Sequence, residues 1–144
     1  MKTNIIQTIQ EELSRFGLEC FKNDEADIII HEEFQNNKWN DNIKWLEYKL
    51  YIGVHELDQT IYVQERLSEK DKGFTFRLKL NNDSLYGNQL YRTVKISRYK
   101  GKSVSIEYNL EEILITIKRI ALHYNYQCKE VMMLGKIKEA HDNS

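Results

Sequence analysis

Two stretches of the chain carry apolar residues at helical steps, and much of what lies between carries them at alternate positions. Ile6, Ile9, Leu13 and Phe16 fall on one stripe at 3.6 residues per turn, opposite Gln7, Gln10, Glu11, Ser14 and Arg15. Thr3 stands where an N-cap is expected, and Gly17 where a left-handed residue would end the helix. Nearer the other end, Leu110, Ile113, Leu114, Ile117, Ile120, Ala121 and Tyr124 make a wider stripe. Asn109 and Glu112 have capping-box spacing there, and Asn125 is a suitable stop.

Between these helices the period is two. Strands are predicted over 18–21, 27–34, 43–54, 60–67, 74–80, 91–99 and 103–108, with polar or glycine-containing turns between them. A last strand is expected within 126–134, with a continued helix as the alternative, and the polar residues 135–144 read as a frayed tail. Short connections between successive strands predict an α+β fold. Its sheet is a mostly antiparallel meander, with an N-terminal and a C-terminal helix packed on one face. No repeat or linker is visible, so residues 1–144 are expected to form one domain.

Alternation then assigns the faces. Leu46, Tyr48, Leu50, Ile52, Val54, Ile61, Val63 and Leu67 are expected in the core. The opposite face is expected to show water a mixture of aromatics and cations. Its binding candidates are Trp45, Lys49, Tyr51, Tyr62, Arg66, Arg77, Lys79, Tyr91, Lys95 and Tyr99, joined on the following hairpin by Arg98, Lys100 and Lys102. Such a face can stack bases or bury against a partner while its cations neutralise phosphates or carboxylates. Sheet propensity alone also favours Tyr, Thr, Lys and Arg on a solvated strand face.

Composition narrows the classes. At 144 residues the chain is long enough to bury a core without a disulfide or metal. No apolar run approaches the roughly 20 residues of a membrane span, and the first residues lack a secretory core. A cytoplasmic location and no membrane partner are therefore expected. Cys20 and Cys128 match no metal or redox spacing, which fits two free thiols in a reducing compartment. Ile, Lys and Asn are abundant, at 16, 15 and 12 residues, as in a low-GC bacterium or its phage. Net charge is only −1, but it is unevenly spread: residues 1–34 carry −5 and residues 73–110 carry +5. Residues 90–106 hold Arg92, Lys95, Arg98, Lys100 and Lys102 and no acid.

Catalytic motifs are missing. The chain has no GxSxG, phosphate-binding glycine loop or HExxH. His31-Glu32-Glu33 starts like a zinc motif, but residue 35 is Gln and the segment reads as strand, so no metal ligands are assigned. His55, Glu56 and Asp58 form a polar turn that would hold a cation only weakly. His123 suits a helix C-terminus. Glu32 and Glu65 fall on the apolar side by alternation, where a carboxyl can become an acid or base; a strand end reaching water is the simpler account.

These features predict a small non-enzymatic interaction protein, of accessory or inhibitor type and without cofactor or metal. Its expected partner is a protein or nucleoprotein, met by the aromatic and basic sheet face and the basic hairpin. One alternative is direct binding of single-stranded or structured nucleic acid. Another is a ligand pocket or enzyme using Glu32, Glu65 or Tyr108. Ile115 and Leu122, outside the helical stripe, and an open sheet edge leave room for a homo-oligomer.

Overall fold

A computed structural model describes residues 1–36, 44–69, 75–77, 93–99, 102–109 and 111–142. In chain order the elements are α1 (Lys2–Arg15), β1 (Ile28–Asn36), β2 (Lys44–His55), β3 (Thr60–Glu69), β4 (Thr75–Arg77), β5 (Thr93–Tyr99), β6 (Lys102–Asn109), α2 (Glu111–His123), β7 (Gln127–Glu130) and α3 (Gly135–Asp142). The fold is α+β.

The chain gathers into two compact units. One comprises 1–30, 50–65 and 113–144; the other comprises 31–49 and 66–112. The divisions fall inside β1, β2, β3 and the first turn of α2, where no composition shift marks them.

The first unit holds a dense apolar core. Ile28, Ile30, Leu50, Ile52, Val54, Ile61 and Val63 are fully buried, as strand alternation requires. So are Ile5, Ile9 and Leu13 of α1 and Ile113, Leu114 and Ile117 of α2. Helix α1 begins one residue ahead of Thr3, with Met1 at its N-cap position and no side-chain cap, and it buries Ile5 where Ile6 was expected. Gly17, with φ of 80°, follows its C-cap, Phe16. The anticipated strand over 18–21 reduces to one bridge between Phe21 and Ile29. Thr8 Oγ1 and Tyr124 OH, 2.9 Å apart, link α1 to the end of α2.

The meander is corrected to a mixed sheet. Strand order is β1-β2-β3-β4, and β7 also joins β3. Thr60–Val63 pair in parallel with Gln127–Glu130, whereas Arg66–Ser68 pair antiparallel with Thr75–Arg77. The chain reaches β7 through helix α2, and such a crossover, unlike a tight turn, can bring a strand back parallel.

The frayed tail is also corrected. Residues 135–142 form α3, which packs Ile137 and Ala140 on Ala26 and Tyr62, flanked by Ile29, Tyr51, Val131 and Leu134. Lys136, Lys138, Glu139 and Asp142 lie on its solvent side, where Lys136 faces Glu139 and Lys138 faces Asp142. Gly53 permits this approach: a Cβ there would stand 2.6 Å from the Ile137 carbonyl oxygen and 3.0 Å from Ala140 Cβ.

In the second unit β5 and β6 form a two-stranded antiparallel sheet. Lys95 registers with Glu107, and Tyr99 with Lys102; a bulge interrupts the ladder between Ile96 and Arg98.

Candidate functional site

The expected open platform is closed where the first unit contains it. Helix α3 covers β2 and β3 at Tyr51, Gly53 and Tyr62. Tyr62 is only 7% exposed, and Gln64, two residues on and so on the same side of β3, is 2% exposed. Tyr62 is thus a core residue: its hydroxyl donates to Asp58 Oδ2 at 3.1 Å, and burial together with that carboxylate pushes its pKa up. Tyr51, Lys49 and Arg66 are partly exposed. The side chains of Trp45, Arg77, Lys95, Arg98, Tyr99 and Lys102 lie outside the described ones, as do residues Lys79, Tyr91 and Lys100 altogether.

A buried polar cluster ties α3 in place. Asp27 accepts the Val54 N–H at 2.7 Å and the His141 ring N–H at 2.8 Å. Lys2 Nζ donates to the Ala140 carbonyl at 2.7 Å and stands 3.6 Å from Asp27. Asp27 is 3% exposed, so these partners replace its lost hydration. One carboxylate thereby joins the first turn of α1, strand β2 and the last turn of α3. The three residues are 25 and 114 positions apart along the chain, and no local spacing announces them.

The turn over 55–59 forms as expected. His55 is buried and its Nδ1 accepts the Asp58 N–H at 3.1 Å, which orients the ring for the turn. Glu32 and Glu65 are both buried, as alternation placed them, and both are engaged by neighbouring groups. Escape to water at a strand end therefore does not describe them.

Strand geometry builds one cluster that a search for helical motifs passes over. His31 and Glu33 are two apart on β1 and so share a side. Glu47, on the neighbouring β2, brings its Oε2 to 2.9 Å from His31 Nε2. One donor atom from each of the three residues lies within 4.8 Å of the others. Lys49 Nζ is 3.6 Å from Glu47 Oε1. The hydrogen bond from His31, with Lys49 adding charge, holds the Glu47 carboxyl below the usual value despite some desolvation.

The solvent side of α2 is the other distinctive surface. Ile115 and Leu122, seven positions apart, are 40% and 77% exposed. Lys118, Arg119 and His123 are exposed on the same helix. Arg119 and His123 also line a half-open cavity of about 220 Å³ between α1 and α2, with Thr8, Glu12, Thr116, Ile120 and Tyr124. That volume is below the roughly 300 Å³ at which small-molecule pockets begin.

Among the described residues, no helix is long and apolar enough to cross a membrane. Comparisons with protein-family models, with characterised proteins and with solved structures find no match to this chain.

Proposed function

We propose that the chain is a small interaction protein, of accessory or inhibitor type, that binds an acidic protein surface, alone or within a nucleoprotein complex. The supporting observation is the outer side of α2. Two large apolar residues one heptad apart meet water there beside Lys118, Arg119 and His123. Single exposed apolar residues are ordinary, but a pair at i and i+7 flanked by cations matches how helices anchor partners. The basic hairpin is a second contact on charge grounds, since 90–106 carries five cations and no acid.

The test is affinity capture of the full-length chain from its source cells, with and without nuclease. Ile115→Ser/Leu122→Ser is expected to lose the captured partner while circular dichroism stays unchanged. Lys95→Glu/Arg98→Glu/Lys100→Glu/Lys102→Glu is expected to weaken capture. Equal recovery of the partner by wild type and the α2 variant would remove the reading.

Direct binding of nucleic acid is the second reading, favoured by the same basic hairpin. It predicts that affinity for a single-stranded RNA falls steeply between about 50 and 200 mM salt. Fluorescence anisotropy showing no binding at the lower salt excludes it.

A further inference from the structure

We propose that His31, Glu33 and Glu47 form a binding site for a divalent transition-metal ion of the Zn²⁺ class. The proposal is independent of the partner-binding reading. Two ligands come from alternate positions of β1 and the third from the adjacent strand, so sheet pairing brings them together without a metal.

The donors lie within 4.8 Å of one another, and His31 Nε2 and Glu47 Oε2 are already 2.9 Å apart. Zinc bonds of about 2.0–2.2 Å to nitrogen and oxygen need donors roughly 3–3.5 Å apart, a change that small side-chain rotations supply. His31 and Glu33 are exposed, so those rotations are not opposed by packing.

Donor chemistry selects the ion. One imidazole with two carboxylates suits Zn²⁺ and its neighbours, whereas Ca²⁺ takes six to eight oxygens and Mg²⁺ keeps most of its water. The carboxylates of Glu33 and Glu47 supply negatively charged donors of the kind a dication favours. Binding exchanges the His31–Glu47 hydrogen bond for two metal bonds. The Nε2 proton goes to solvent, or the ring switches to the Nδ1–H tautomer. Lys49 then turns from Glu47 to water. Three protein ligands leave a fourth position for a water molecule.

Isothermal titration of the full-length chain with ZnCl₂ near neutral pH tests this, with CaCl₂ in parallel. The expected result is one Zn²⁺ per chain, a raised melting temperature, and loss of both in Glu33→Gln/Glu47→Gln and in His31→Asn. Asp24→Asn, at an exposed carboxylate outside the cluster, is expected to bind Zn²⁺ like wild type. Absence of Zn²⁺ binding by wild type overturns the proposal. So does Zn²⁺ binding that survives the carboxylate variant, which places the ion elsewhere. Binding of Ca²⁺ without Zn²⁺ overturns the assigned class, because the imidazole would then not be a ligand.

Discussion

At the scale of single residues, Gly53 and Asp27 decide whether α3 can seat. Any side chain at 53 meets backbone on α3, and backbone yields less readily than a flexible side-chain end. Gly53→Ala is therefore expected to destabilise the protein by about 1–3 kcal/mol, the usual range for overpacking, measured as a lowered denaturant midpoint. An unchanged midpoint would mean that α3 does not lie on β2. Cys128 shows what burial does when it outweighs nearby charge. Desolvation pushes its thiol from 9.0 up to about 11, against the pull of Lys118. The folded state favours the neutral thiol, so this contribution is intact below pH 9 and is lost as pH rises through 11. At pH 8 its thiolate fraction is about 100-fold below that of an unperturbed thiol, so iodoacetamide should alkylate it that much more slowly than in the unfolded chain. Peptide mapping after timed alkylation checks this; equal rates in the folded and unfolded chain would contradict it.

At the scale of elements, patterns with many matching positions were legible and patterns with few were not. Helix α2 declares itself through a seven-residue stripe, and β2 and β3 through long alternation. Helix α3 buries only Ile137 and Ala140, three apart among charged neighbours, too short a stripe to separate from a polar tail. Its stability is tertiary, since an isolated helix of eight residues is marginal in water. Ile137→Ala should cost about 2–5 kcal/mol, whereas Lys136→Ala, on the solvent side, should stay within about 0.5 kcal/mol. Thermal denaturation separates the two; similar melting temperatures would place Ile137 outside the core. The same limit hid the His31, Glu33 and Glu47 cluster. Its i, i+2 spacing was visible, but its third member depends on which strand lies beside β1.

At the scale of the whole molecule, near-neutral net charge conceals oppositely charged segments, so a bulk criterion says little about what the chain binds. The proposed contact through the basic hairpin has its own expected signature, an affinity that declines with added salt. The amino-acid sequence by itself determined α1, α2 and the long strands, the α+β class, and the apolar face of β2 and β3. All of these follow from periodicity, which the backbone imposes locally. Only the tertiary structure decided that β7 returns parallel to β3, that Tyr62 is covered, and that Lys2, Asp27 and His141 meet. Alternation says that a strand has two sides, but not how many of them will be covered. Covering the second side depended on one short helix finding a glycine on the sheet and a buried carboxylate to hold its end.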